Sequence, residues 1–129
     1  MFMKRILITD DSPNWVRYHE SALLAIFGED SVIIDKAYSA REGNDKITSS
    51  IDESYDIIFT DMQMETDFLP FYAGEWLIKQ IQLFKEYKNT KIIIISATGN
   101  IRQIAEKYKV DFIPKYMCKS IDAYKKVLE

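Results

Sequence analysis

The chain has 129 residues, with 17 lysines and arginines against 20 aspartates and glutamates, a net charge of −3 and a pI of about 5.2. That length suits one domain built on one core, and mild acidity without a block of like charges argues against direct nucleic-acid binding. A lone cysteine, Cys118, excludes an intramolecular disulfide and fits a reducing compartment, and no apolar stretch is long enough to span a bilayer, so the expected location is cytoplasmic.

In chain order, Ile6-Leu7-Ile8-Thr9 has the pattern of a buried strand, closed by Asp10 and Asp11. Ser12-Pro13 then supplies an N-cap and a proline at the first helical position, and Val16, Ala22, Leu23, Ile26 and Phe27 recur at helical spacing until Gly28. His19, the only histidine, falls on this helix without a partner acid or serine in view and is taken as an ordinary surface or boundary residue; Trp15 and Trp76 are taken as packing residues. Residues 31–36 form a second strand, and Ser39-Ala40-Arg41-Glu42 has the capping-box pattern that starts a helix. Asp56-Ile57-Ile58-Phe59-Thr60 makes a third strand, closed by Asp61. A long loop follows, and then a helix with Leu77, Ile81 and Phe84 on one face. Ile92-Ile93-Ile94-Ile95 stops at Ser96, Ile101, Ile104, Ala105 and Tyr108 give a helical stripe, and Val110-Asp111-Phe112-Ile113 leads to Lys115. Ser120 caps a last helix carrying Ile121, Tyr124 and Leu128.

Strict alternation of strand and helix implies parallel strands, right-handed crossovers and helices on both faces. The first, third and fourth apolar runs are near-continuous, as in strands covered on both sides. The second and fifth are edges, and Pro114 agrees, because proline lacks the ladder N–H. The fold class is α/β, a three-layer, doubly wound, five-stranded parallel sheet, and the flavodoxin-like order 2-1-3-4-5 satisfies these constraints. This order puts the carboxyl ends of the first and third strands together at the switch point, where open α/β sheets bind ligands. An ionised acid taken out of water is costly unless paired or bound to a cation, so three carboxylates gathered there ask for a metal ion.

Asp10-Asp11, Asp61 with Met64 after it, Ser96-Ala97, Phe112 and Lys115, each at or near its strand end, resemble the signature of response-regulator receiver domains of two-component signalling over nearly the whole chain, residues 1–129. The resemblance implies a phosphorylatable switch. Asp61 would be the phospho-acceptor, Asp11 a magnesium ligand with Asp10 assisting, and the Gln63 main-chain carbonyl a third ligand beside Asp61. Ser96 would be the switch hydroxyl, Phe112 the switch aromatic and Lys115 the phosphate-facing cation, with Glu65 and Thr98 modulating from the loops. The cofactor would be Mg2+, and the partners a sensor histidine kinase or phosphotransfer protein and a downstream protein target. The domain would assist its own phosphorylation and dephosphorylation without being an enzyme in its own right.

Departures from the family pattern are also visible. Glu65 stands where receivers commonly have proline, the glycine expected soon afterwards comes only at Gly74, and about five extra residues therefore fill the loop over residues 66–73, including Phe68, Leu69, Phe71 and Tyr72. Tyr116 replaces the usual proline after Lys115, which suggests a lysine less tightly fixed against Asp61. The stretch from Ser96 to Lys115 is short, so the fourth helix or its turn is trimmed. Within these residues no output module follows the last helix, which leaves either a stand-alone receiver or a receiver excised from a longer protein. Two other functions are weighed: a pseudo-receiver acting only by protein contact, and a haloacid-dehalogenase-like phosphatase. The latter needs Asp-x-Asp, whereas Ser12 stands two residues after Asp10.

Overall fold

The isoleucine-rich runs form the strands of a parallel sheet, and the amphipathic stretches between them form helices that cover both faces. A computed structural model describes residues 3–64 and 72–129. Among them, β1 (Lys4–Thr9), α1 (Pro13–Phe27), β2 (Val32–Ala37), α2 (Ala40–Ser49), β3 (Ile57–Thr60), α3 (Ala73–Gln82), β4 (Lys91–Ser96), α4 (Ile101–Tyr108), β5 (Asp111–Pro114) and α5 (Ile121–Leu128) alternate without exception. The sheet order is β2-β1-β3-β4-β5, with every pair parallel. The doubly wound, flavodoxin-like architecture expected from the sequence is the one the chain adopts.

Because side chains alternate across a strand, the expected single core is divided by the sheet into two. Leu7, Ile58, Ile92 and Ile94 face α2, α3 and α4, where they meet Ile47, Leu77, Ile78, Ile81 and Ile104. Ile6, Ile8, Phe59, Ile93 and Ile95 face α1 and α5, where they meet Val16, Leu23 and Tyr124. Each such side chain, fully buried, contributes about 1.5–3 kcal/mol relative to exposure, so a central strand apolar on both faces is held from both sides.

The helix starts lie where the sequence puts them. Ser12 Oγ accepts from the Trp15 amide at the head of α1, Ser39 Oγ from the Glu42 amide at the head of α2, and Ser120 Oγ from the Asp122 amide at the head of α5. The Glu42 carboxylate completes its box one residue early, accepting from the Tyr38 amide at 2.6 Å. The end of the third helix differs from expectation: α3 ends at Gln82, so Phe84 packs on the core from the turn beyond it and not from the helix. The trimmed fourth helix is α4, of 8 residues.

Register sets the site. Thr9 pairs with Thr60 across β1 and β3, so the next residues, Asp10 and Asp61, leave the sheet side by side. The Asp61 amide donates to Thr9 carbonyl oxygen at 2.9 Å and the Asp10 amide to that of Ala37 at 3.1 Å, which fixes both acids on the rim. Gly74 closes the return of the loop: its amide donates to the Met62 carbonyl, and a Cβ here would lie 1.9 Å from the Asp61 carbonyl oxygen. The late glycine is required by this close approach.

Candidate functional site

The carboxyl ends of β1, β3 and β5 bring Asp10, Asp11, Asp61 and Lys115 into one pocket. Lys115 Nζ lies 3.1 Å from Asp61 Oδ2 and 3.3 Å from Asp10 Oδ2. Asp61 Oδ1 accepts from the Met62 amide at 2.7 Å, and Asp10 Oδ1 accepts from the Ser12 amide at 3.0 Å. Asp10 and Asp61 are buried and Asp11 is exposed. Lys115 also sits over the Trp15 ring, 5.0 Å from its centre, a cation–π contact from the first turn of α1.

One lysine among three acids leaves the pocket short of positive charge. Burial raises the Asp61 carboxyl above the ordinary carboxylate range and the charge of Asp10 raises it further, against the opposing pull of Lys115 and the Met62 amide. Burial and Asp10 likewise raise Asp11. Burial acts upward on Asp10 too, but the nearby His19 ring, the Ser12 amide and the Lys115 charge outweigh it and hold this acid below its ordinary value. For Lys115 burial works downward, and the charges of Asp61 and Asp10 more than reverse it, so the ammonium is firmly retained.

The chemistry of the donors fits a hard cation. Carboxylate oxygens of Asp10, Asp11 and Asp61 lie within 4.8 Å of one another, and Asp10 Oδ2 is buried with only the Lys115 ammonium against it. Mg2+ takes oxygen ligation from one or two carboxylates and completes its octahedron with water or phosphate, which an exposed Asp11 beside two buried acids permits.

Ser96 ends β4 and Phe112 lies within β5, the two strands beyond β3 in the sheet. Ser96 is buried at the end of β4, and its Oγ accepts from the half-buried Thr98 amide at 3.2 Å. Phe112 in β5 is half-buried with the Arg102 guanidinium 5.5 Å above its ring. Gln63 is exposed two residues beyond the acceptor, and Met64 packs on the core. Glu65 and the loop aromatics Phe68 and Phe71, with Leu69, lie outside the described residues, whereas Tyr72 packs on the core beside Trp76.

Two carboxylates and an aromatic face meet the Lys115 ammonium, and the tight turn Lys115–Lys119 starts at the lysine itself. One expectation is corrected. His19 is not a surface or boundary residue. It is 1% exposed, its Nδ1 lies 2.7 Å from the Tyr124 hydroxyl and its Nε2 lies 3.8 Å from Asp10 Oδ2. A signal for this was present, since Val16, His19 and Leu23 share the i, i+3, i+7 stripe that α1 buries.

No protein-family model matches the chain, and no curated protein matches it by sequence. Solved structures do match it. The chemotaxis response regulator CheY4 of Vibrio cholerae superposes with a TM-score of 0.76 at 19% identity, over 98% of this chain and 96% of that one. The phosphorylated cyanobacterial phytochrome response regulator RcpA gives 0.78 at 14% identity, over 98% and 95%. The Salmonella typhimurium response regulator RcsB gives 0.73 at 19% identity over 99% of this chain, which spans 58% of RcsB. The chain has the receiver fold.

Proposed function

We propose that residues 1–129 act as a single receiver domain, a signalling switch that takes a phosphoryl group onto Asp61 with Mg2+ in the acid pocket. The observation that carries this reading is the meeting of Lys115 Nζ with Asp61 Oδ2 at 3.1 Å beside carboxylates that converge within 4.8 Å. An Asp61 oxygen attacks phosphorus, the bond from phosphorus to the donor's leaving group breaks, and the electron pair departs with that group, leaving an acyl phosphate. Lys115 exchanges part of its contact with Asp61 for a phosphoryl oxygen, and the Ser96 hydroxyl rotates to donate to another. Asp11 and Asp61, with Asp10 assisting, and the Gln63 main-chain carbonyl would hold the cation, which would supply charge neutralisation at the phosphoryl oxygens.

In this reading the donor is a sensor histidine kinase or a phosphotransfer protein, and Ser96 and Phe112 report the modified state to a downstream protein target. Glu65 and Thr98 tune access from the flanking loops. The domain assists its own phosphorylation and dephosphorylation, works in the cytoplasm, and binds neither nucleic acid nor membrane directly. Among the described residues no helix is long and apolar enough to cross a membrane.

Incubation with magnesium and a small acyl phosphate, followed by intact mass and peptide mapping, tests the proposal. One added phosphoryl group is expected on Asp61, lost in Asp61→Asn and after chelation of the metal. Persistent labelling of Asp61→Asn sinks the assignment, and a parent that takes up nothing leaves a protein-contact module built on the same fold.

A further inference from the structure

His19 occupies a position that packing alone does not explain. On the buried stripe of α1 an aliphatic residue would fill the space without bringing a polar ring inside. The imidazole instead bridges α5 and the acid pocket, with Nδ1 2.7 Å from the Tyr124 hydroxyl and Nε2 3.8 Å from Asp10 Oδ2. Nε2 and Asp10 Oδ2 are both buried; Nε2 has no hydrogen-bond partner, and Asp10 Oδ2 is met only by the Lys115 ammonium, at 3.3 Å. Trp15, which carries Lys115 on its ring, stacks on the imidazole with centres 5.5 Å apart.

The direction of the bridge follows from the phenol. Burial, first of all, pushes the Tyr124 hydroxyl far above its ordinary value, so it keeps its proton. With this hydroxyl donating to Nδ1, the ring hydrogen lies on Nε2, facing Asp10. A separation of 3.8 Å exceeds a hydrogen bond, and a small rotation of the carboxylate closes it.

We propose that His19 is a positioning residue of the acid pocket: anchored by Tyr124, it orients the Asp10 carboxylate so that the acids present their oxygens to a divalent cation. This rests on the reading that the pocket holds Mg2+. Groups that hold a metal's carboxylates in place set its affinity, and their loss typically weakens binding by roughly 10–100-fold. His19 belongs at the low end of that range, since it acts on the assisting acid. Its link to Tyr124 also makes α5 sensitive to the state of the pocket, because the hydroxyl and Asp10 hold opposite nitrogens of one ring.

Calorimetric titration of magnesium into the intact chain, alongside thermal unfolding, tests this. His19→Leu is expected to lose about tenfold in affinity with an unchanged or higher melting temperature, because it removes a buried polar ring from an apolar stripe. His19→Gln keeps an N–H near the place of Nε2 and is expected to recover most of the loss. Tyr124→Phe, which removes only the anchoring oxygen, is expected to fall between the two. Parent-like affinity in His19→Leu overturns the proposal, as does a His19→Gln variant as weak as His19→Leu, which would mean that shape alone matters. Should His19→Leu fail to fold, parent-like affinity in Tyr124→Phe overturns it. A parent that binds no magnesium defeats the metal reading together with this inference, whereas a binding parent with indifferent variants defeats this inference alone.

Discussion

Glu75 and Asp61 are both buried acids, 7% and 5% exposed, yet their surroundings differ in kind. Glu75, in the first turn of α3, receives the Tyr108 hydroxyl at 2.6 Å and the Lys107 ammonium at 3.3 Å on Oε2. One carboxylate has two donors of its own, and they tie α3 to the end of α4. Asp61 shares one lysine with Asp10 and stands within ligating distance of Asp11. Burial of an acid is therefore not what marks a site. A satisfied acid holds helices together, and an acid crowded with its like holds a place for a cation.

The largest effect should come from the glycine behind the acceptor. In Gly74→Ala the new Cβ would start 1.9 Å from the Asp61 carbonyl oxygen, so backbone has to move. A destabilisation of about 3 kcal/mol or more is expected in chemical denaturation, with loss of phosphorylation. Parent-like stability would mean that the loop does not close on the acceptor as described. Next in size, Glu75→Ala should cost about 2 kcal/mol through loss of its hydrogen-bonded partners while leaving magnesium affinity and phosphate uptake at the parent level. Equal damage to uptake would break the distinction between the two acids.

Asp61→Asn should behave oppositely. Removing the charge from a crowded, buried position is expected to raise the metal-free melting temperature at neutral pH by about 3–5 °C while abolishing phosphorylation. A lower melting temperature would mean that the pair with Lys115 dominates and that the pocket is not short of positive charge. The smallest effect is the pH dependence. Asp61 and Asp11 are raised above 3.8, so what they contribute to stability is present below that value and lost as pH rises through their folded-state values. Asp10, held below 3.8, contributes above it and loses that contribution on further acidification. In the window just above 3.8, denaturation without metal should show the loss from Asp61 and Asp11, and magnesium affinity should fall as pH drops through the same window. A pH-independent magnesium affinity there would show that neither acid competes for protons.

The sheet order was legible because the apolar runs are of two kinds, continuous at β1, β3 and β4 and interrupted at β2 and β5, and because three serines mark helix starts by a local hydrogen bond that sequence displays directly. The pocket acids were legible for the same local reason: each follows its strand without a gap. His19 was not, since its partners Asp10 and Tyr124 are 9 and 105 residues away in the chain and come together only when α1 and α5 lie side by side on one face of the sheet. The aromatic face under Lys115 was not legible either, because Trp15, which supplies it, lies on α1, far from Lys115 in the chain.

Thermal unfolding with and without magnesium tests the central claim most directly, that the three acids await a cation. Magnesium at about 100 times its dissociation constant is expected to stabilise the parent by about 2.7 kcal/mol, to stabilise Glu75→Ala equally, and to stabilise Asp61→Asn and Asp11→Ala far less. A parent whose melting temperature ignores magnesium, or an equal shift in all four proteins, would contradict it.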